Sequence, residues 1–495
     1  MLPISLRPNG RRAVIVGGGD VAARKAESLA GAGFALFVVA ERIDERLHSF
    51  LKANRVAFAQ RRYQTPDLDD AAIVVVATDD SNLNAQIVAD AKAAHALVCD
   101  ATDPARGDFT MPATRHVGEL TISVDSDGNA PAFSRRVVEQ LADGLDASYA
   151  DALRTLARMR SYAIETFAQQ ERAPILRALA MRPIAELARP PVTAICATRR
   201  SALAMVQSRT VAVALAKCAV VTTLLGVTTT GDRDRRTPIE QLGEVNVFVK
   251  ELEAALREHR ADFAVHSCKD LAGSMPDDMR ITAISAREDA RDAFCSERYC
   301  DFESLPAGAV VGTSSPRRRA ALTALRPDLR YEPLRGNVDT RLRKLAGGQY
   351  DAIVLAVAGL ERLGAGAKYV VPFPIDRVVP AVGQGALAVE MRAGDDRLYD
   401  LVRDAVNDPQ SELCIVCERA ALRAMRAGCS TPLGIHAHFA GETMIVDAFY
   451  APAAQPPAKV RVERTISTLE AAQLLGEELA QQLKSSMWER TVIEE

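Results

Sequence analysis

The stretch "RRAVIVGGGDVAARKAESLAGAGFALFVVAE", residues 11–41, decides how the chain begins to fold. "RRAVIVGGG" reads as a buried strand that runs into glycines, and "DVAARKAESLAGAG" reads as a helix. On that helix Val21, Ala22, Ala26, Leu29 and Ala30 share one face, with Arg24, Glu27 and Ser28 opposite. "ALFVVA" is the next strand, and "AAIVVVATDD" and "ALVCDATD" are two more. Such alternation predicts an α/β fold with a parallel sheet covered by helices.

Between the first strand and the first helix, Gly17-Gly18-Gly19-Asp20-Val21-Ala22 fits G-x-G-x-x-A. Glycines there let the backbone approach a pyrophosphate, whose charge the free N–H groups of the helix start attract. This is the pattern of a Rossmann-type dinucleotide site. Glu41 follows the second strand, where an acidic side chain binds the adenine ribose, so NAD is expected over NADP. Arg42 beside it weakens that preference, because a guanidinium suits a 2′-phosphate. Asp79, Asp80, Asp100 and Asp103 fall at later strand ends, where ligands bind in open sheets; each would serve equally as a helix cap.

The chain has 495 residues, which suggests roughly three to four domains. Its net charge is −3 and its aromatic content 5%, neither of which favours nucleic acid. No run of about 18 apolar residues reads as a membrane span, and no signal peptide is expected. Nine cysteines without framework spacing fit a reducing compartment, so a cytoplasmic location is expected.

"GELTISVDSDGNAP" reads as an exposed strand ending in a turn, and residues 135–180 as helical and charge-rich. "MRPIAELARPPV", 181–192, carries three prolines and reads as a linker. Strand–helix alternation then restarts. "APAAQPPAK" is expected to be a surface loop, and "STLEAAQLLGEELAQQLKSS" an amphipathic helix capped by Thr468 or Ser467.

In this second half arginines gather beside small residues at helix starts. Arg199 and Ser201 stand in "ATRRSALA", Thr313, Ser314, Ser315, Arg317 and Arg318 in "GTSSPRRRAAL", and Arg335, Asn337 and Arg341 in "LRGNVDTRL". Hydroxyls and guanidiniums at a helix start make an anion site, and several together suit a ligand with many carboxylates. Lys269 and Asp270 end a strand in "FAVHSCKD", where an aspartate among arginines can stabilise a developing cation. Cys429 sits in "AGCSTPLG" on a glycine-flanked turn. As residues alone, that thiol is open to readings as a filler, a metal ligand, a redox thiol or a covalent anchor.

Two resemblances add to this. "LPISLRPNGRRAVIVGGGDVAARKAESL", "ATDDSNLN" and "DFTMPA" resemble the precorrin-2 dehydrogenase family over about residues 1–180. The resemblance implies NAD-dependent oxidation of precorrin-2 to sirohydrochlorin, and in many members Fe2+ insertion to give sirohaem; with no His/Cys cluster at metal spacing in this part, such insertion is expected to be transient, with no permanent metal site. By position it implies Asp103 as the essential aspartate and Ser126 beside the tetrapyrrole. It also implies NAD at Gly17, Gly19, Asp20, Val21, Glu41 and Arg42, and a homodimer formed through this half.

From residue 192 to the end, "ATRRSALA", "VTTTGD", "FVKELEAALREHRADFAVHSCKD", "REDARDAF", "VGTSSPRRRAAL", "LRGNVDTRL", "DAIVLAVAGLERLG", "PAVGQGALAVE" and "GCSTPLG" resemble hydroxymethylbilane synthase, also called porphobilinogen deaminase. That family joins four porphobilinogens on a covalent dipyrromethane cofactor. The resemblance implies a thioether at Cys429 and Asp270 as the group that handles cationic intermediates. It implies carboxylate binding by Arg199, Arg317, Arg318, Arg335 and Arg341, with Ser201, Lys269, Thr313 and Ser315 lining the same cleft. One departure is the segment "RDRRTPIEQLGEVN". Gln241 and Val245 stand where basic residues are usual, and Arg233, Arg235 and Arg236 are available to replace them.

The expected organisation is a Rossmann-type domain (1–115), a dimerisation and tetrapyrrole-binding helical region (116–180) and a linker (181–191). A three-domain α/β synthase follows, with two lobes like periplasmic binding proteins (192–287 with 384–405, and 288–383) and a small α+β domain (406–495). The rival expectations are a hinged binding protein without catalysis, or a chain with one active half. Cys414 and Cys417 read as core residues in a helix, Cys99 as a buried strand residue, and His266 as packing beside the cleft. His436 and His438 share a strand face with no carboxylate partner evident.

Overall fold

The computed structural model describes residues 2–229, 249–428, 431–452 and 456–491. It divides into two compact units, Met1–Leu153 and Arg154–Glu495.

The first unit opens with β1 (Arg12–Val16), α1 (Asp20–Ala32), β2 (Ala35–Ala40), α2 (Glu45–Ala53), β3 (Ala57–Gln60), β4 (Ala71–Val76), α3 (Ser81–Ala93) and β5 (Leu97–Asp100). The strands form one parallel sheet in the order β3-β2-β1-β4-β5, with Val14 opposite Phe37 on one side and Val74 on the other. The near-continuous apolar strands are buried on both faces, as a covered parallel sheet requires. Ala22, Ala23, Ala26 and Leu29 of α1 pack over Ile15, Val38 and Val75, and Ile87, Val88 and Ala91 of α3 cover Val14, Val74 and Val76. Val21, expected on the buried face, is 39% exposed, and Ala23 takes its place. The helix starts at Asp20, so residue 21 lies in its open first turn. A hairpin of β6 (Ala113–Val117) and β7 (Leu120–Val124) follows, then α4 (Pro131–Asp143).

The compact division falls at 153/154, not at 180/181. The helix α5 (Ala147–Thr166) crosses it, and α6 (Gln169–Ala180) lies beyond it. The Tyr162 hydroxyl donates to the Thr222 carbonyl at 2.9 Å and accepts from the Thr222 N–H at 3.0 Å. Arg209 pairs with Glu171 at 2.8 Å. The segment expected as a linker is ordered: it forms the short helix α7 (Ile184–Leu187), Leu187 is buried, and Thr155 donates to the Arg189 carbonyl at 2.8 Å. Its prolines end the helices without freeing the chain.

Two mixed sheets follow. The first, in the order β11-β17-β10-β8-β9, takes β8 (Val192–Arg199), β9 (Val220–Val227), β10 (Phe263–Ser267), β11 (Met279–Ile284) and β17 (Leu387–Arg392), with helices α8 (Ala202–Ala216) and α9 (Lys250–Arg257). The second, β14-β13-β15-β12-β16, takes β12 (Asp292–Ser296), β13 (Val310–Gly312), β14 (Arg330–Glu332), β15 (Ala352–Ala356) and β16 (Tyr369–Pro372), with α10 (Pro316–Leu325), α11 (Val338–Ala346) and α12 (Val357–Leu363). The chain crosses from one sheet to the other at 285–291 and returns at 373–386.

After α13 (Tyr399–Val406) comes α14 (Pro409–Ala424), then the antiparallel sheet β18 (Leu433–Ala440), β19 (Thr443–Tyr450) and β20 (Ala458–Thr465), then α15 (Leu469–Thr491). Cys414 and Cys417 are core residues of α14 packed on Leu475, Leu479 and Leu483. Each buried leucine contributes about 1.5–3 kcal/mol. Thr468 caps α15 through the Ala471 N–H at 3.2 Å. No helix among the described residues is long and apolar enough to cross a membrane.

Candidate functional site

In the second unit a cleft runs between the two mixed sheets. One part is lined by Arg199, Ser201, Gln207, His266 and Asp270, and the adjoining part by Gln207, Lys269, Arg318, Arg341, Arg362 and Gln384. Ser201 ends β8's following turn as the N-cap of α8, accepting from the Ala204 N–H, which fixes its hydroxyl at the helix start. Lys269 and Asp270 occupy a single 3-10 turn after β10. They are neighbours in sequence and open onto the two parts of the cleft.

Burial, with Arg318 next in importance, lowers the Lys269 ammonium from its ordinary 10.5 to about 8. Burial, then Arg318, lowers the Arg341 guanidinium to about 10. Cations so depressed lack enough negative charge around them, and an anionic ligand would supply it.

Arg317 and Arg318, expected to bind ligand carboxylates, already share one inside the protein. Asp292 is fully buried and lies 2.8 Å from Arg317 and 2.6 Å from Arg318. Burial alone would raise its carboxyl, but the two guanidiniums outweigh that and hold it well below the ordinary 3.8. Arg317 also donates to the Val379 carbonyl, and Arg318 lines the cleft. Thr313 and Ser315 are engaged locally. Ser315 caps α10, and the Thr313 hydroxyl accepts from the Ser315 N–H at 3.2 Å. Asn337 caps α11, and the Arg335 carbonyl accepts from Lys344 at 3.1 Å.

Cys429 and the segment from Arg233 to Asn246 lie outside the described residues. Flanking Cys429, Gly428 and Thr431 are bonded to each other: the Gly428 N–H reaches the Thr431 hydroxyl at 3.0 Å, and the Thr431 N–H reaches the Gly428 carbonyl at 3.0 Å.

His436 and His438 stack with ring centroids 5.5 Å apart. A carboxylate does stand near them: Glu418 lies 3.8 Å from His436. It is committed elsewhere, to Arg287 at 2.5 Å and to the N–H groups of Gly383 and Ala437 at 2.7 Å each. Burial, then Arg287, keeps His436 neutral, well below its ordinary value. His266 is buried against Glu390 at 2.8 Å. Among the described residues no group of three or more His, Cys, Asp or Glu could hold a metal.

In the first unit the glycine turn is a tight cradle. A Cβ on Gly17 would meet the Ala77 carbonyl oxygen at 2.2 Å, and one on Gly18 would meet that of Arg42 at 1.8 Å. Gly19, at the N-cap of α1, has open space, its nearest neighbour being Asp44 at 3.7 Å. The backbone at Gly19, Asp20 and Val21 therefore faces outward at a helix start, which fits a pyrophosphate. Glu41 follows β2 directly and pairs with Arg62 at 2.9 Å. Asp80 caps α3. Asp103 accepts from the Ala105 N–H at 3.2 Å and pairs with Arg106 at 2.9 Å, while remaining 42% exposed. Asp100 is fully buried and shapes the same turn through Thr102 and the Asp103 N–H. Ser126 accepts from the Ala130 N–H at 3.0 Å, in a turn whose Gly128 lies against Pro104, next to Asp103. Asp103 and Ser126 are thus on touching loops.

The sequence reading passed over Asp292, Gln207, Arg362 and Gln384. Gln384 did carry a signal: it is a polar residue between two glycines in the apolar run "PAVGQGALAVE", and both glycines have positive φ, 71° and 94°.

Three family matches correspond to these parts. Residues 195–400 match "Porphobilinogen deaminase, dipyromethane cofactor binding domain", residues 412–485 match "Porphobilinogen deaminase, C-terminal domain", and residues 4–113 match "Putative NAD(P)-binding". A relative from Albidiferax ferrireducens named porphobilinogen deaminase is 44% identical over 296 residues, covering 59% of this chain and 93% of that one. One of the same name from Burkholderia orbicola is 47% identical over 252 residues, covering 50% and 75%. Among solved structures, SirC, precorrin-2 dehydrogenase, is 24% identical and covers 36% of this chain and 88% of that one, with a TM-score of 0.30.

Proposed function

Since the chain belongs to the porphobilinogen deaminase family through its second unit, we propose that this unit joins four porphobilinogens head to tail, with loss of ammonia at each addition, and releases hydroxymethylbilane by hydrolysis. The observation that carries the proposal is the cleft that gathers Lys269, Arg318 and Arg341 within reach of Asp270. Each porphobilinogen brings two carboxylates, and the depressed Lys269 and Arg341 gain most from such a partner.

Cys429 is the residue that would hold dipyrromethane, through a thioether. That group supplies the free pyrrole position to which the first substrate joins. Ser201 and Arg199 at the start of α8 bind substrate carboxylates. Asp270 stabilises the positive charge left on a pyrrole as ammonia departs, which a fixed carboxylate does well where water is scarce. Arg335 contributes to the same anion binding, while Arg317, Thr313 and Ser315 act by holding α10 and Arg318 in place. The test is incubation with porphobilinogen: one ammonia released per porphobilinogen consumed, with loss of turnover in Asp270→Asn, is the expected result.

For the first unit we propose NAD-dependent oxidation of precorrin-2. The glycine cradle and the start of α1 would hold the pyrophosphate and Glu41 the ribose, which favours NAD; bound NAD supplies the hydride acceptor. Asp103 accepts the proton that leaves the macrocycle with the hydride, and Ser126, on the touching loop, helps to seat the substrate. The support is the juxtaposition of an exposed carboxylate with the strand ends beside the cradle. Reduction of NAD on addition of precorrin-2 tests it, and an inert first unit would limit the chain to the synthase reaction.

A further inference from the structure

Gln384 lies on the returning crossover between the two mixed sheets and is 1% exposed. Its Nε2 is 2.7 Å from the Ala290 carbonyl oxygen and 2.9 Å from Asp292 Oδ1, and its Oε1 is 3.2 Å from Lys269 Nζ. The amide can sit only one way round. A carbonyl and an ionised carboxylate only accept, and an ammonium only donates, so the NH2 must face the first two and the oxygen must face Lys269. The opposite orientation would set three like-natured contacts against each other where water cannot intervene. Asp292 in turn is fixed by Arg317 and Arg318. A chain of oriented groups therefore runs from the arginine pair through Asp292 and Gln384 to Lys269, and it ties the outgoing crossover, which carries Ala290, to the returning one.

We propose that Gln384 is a positioning residue for the synthase reaction: its carbonyl, aimed by Asp292, holds the Lys269 ammonium charged and directed into the cleft. This rests on the synthase proposal above. Lys269 faces Arg317 and Arg318 from α10, Arg341 from α11 and Arg362 from α12, with Asp292 and its neighbour Asp270 as the opposing charges. Burial, and after it the charge of Arg318, already lowers its pKa to about 8. Removing the Gln384 acceptor from it pushes the value lower, so the charged form is lost at a lower pH.

The experiment is the pH profile of porphobilinogen turnover in the full chain. Gln384→Met keeps the length and removes both hydrogen-bonding ends. Its alkaline limb should move about one unit to lower pH relative to wild type, while far-ultraviolet circular dichroism stays unchanged. Gln384→Glu keeps an oxygen facing Nζ and should leave the limb in place or raise it. In a Lys269→Arg background, Gln384→Met should produce no movement of the limb. A folded Gln384→Met with the wild-type profile, or one slower at every pH without movement of the limb, overturns the proposal. So does a Gln384→Glu limb that moves down, which also serves if the methionine variant does not fold. An inactive wild-type protein would instead overturn the synthase proposal itself.

Discussion

Arg318 grips Asp292 with two bonds, Nε at 3.0 Å and Nη2 at 2.6 Å from Oδ1, at side-chain exposures of 8% and 0%. With Arg317 on the other oxygen, a single carboxylate balances two buried guanidiniums. Asp292→Asn keeps the volume and removes the charge. Stranding buried charge in this way should cost about 3–5 kcal/mol in urea unfolding. The folded carboxyl lies below its ordinary 3.8. Its stabilisation is therefore complete above that value and is lost as the pH falls below it. The asparagine variant, having lost it already, should show less acid dependence than wild type.

Lys269 gives the opposite sign. Its folded value of about 8 lies below the ordinary 10.5, so between those values the folded state binds fewer protons than the unfolded one. In a Cys429→Ser background without attached pyrrole, this lysine makes stability rise with pH across that window and is unfavourable below it. Lys269→Gln should raise the melting temperature at neutral pH and flatten the rise toward high pH. Melting curves from pH 7 to 10 check both.

The two inner glycines of the first unit should separate fold from ligand. Gly18→Ala sets a methyl group 1.8 Å from the Arg42 carbonyl oxygen and should destabilise the unit by about 1–3 kcal/mol. Gly19→Ala has room within the protein and should leave stability unchanged, with its penalty confined to NAD binding. Thermal unfolding with and without NAD distinguishes the two.

Asp103→Ala removes an exposed carboxylate whose ion pair with Arg106 is worth at most about 1 kcal/mol. Folding and NAD binding should be retained and oxidation of precorrin-2 abolished. Unchanged turnover would remove Asp103 from the mechanism.

Local pattern made much of the architecture legible. The strand into "GGG", the helix from Asp20 and the restart after residue 191 follow from periodicity and glycine placement. What it missed depends on partners distant in sequence. Gly18 is demanded by a carbonyl at the end of the next strand, and Val21 is exposed because of where α1 happens to begin. That Arg317 and Arg318 share an internal carboxylate was not legible, because Asp292 stands 25 and 26 positions earlier. The helices before residue 180 carry ordinary amphipathic sequence, and it is pairings with distant residues, such as Tyr162 with Thr222 and Glu171 with Arg209, that assign them to the second unit. Glu418 could not be matched to His436 by spacing, since one lies on a helix and the other on a strand.

The covalent anchor is the centre of the proposed function, and the intact mass of the purified protein tests it most directly. Produced in a host that makes porphobilinogen, the chain should carry the added mass of two linked pyrrole units, and Cys429→Ser should lack it. A bare polypeptide mass for the wild-type chain, or an adduct that survives Cys429→Ser, would contradict the proposal.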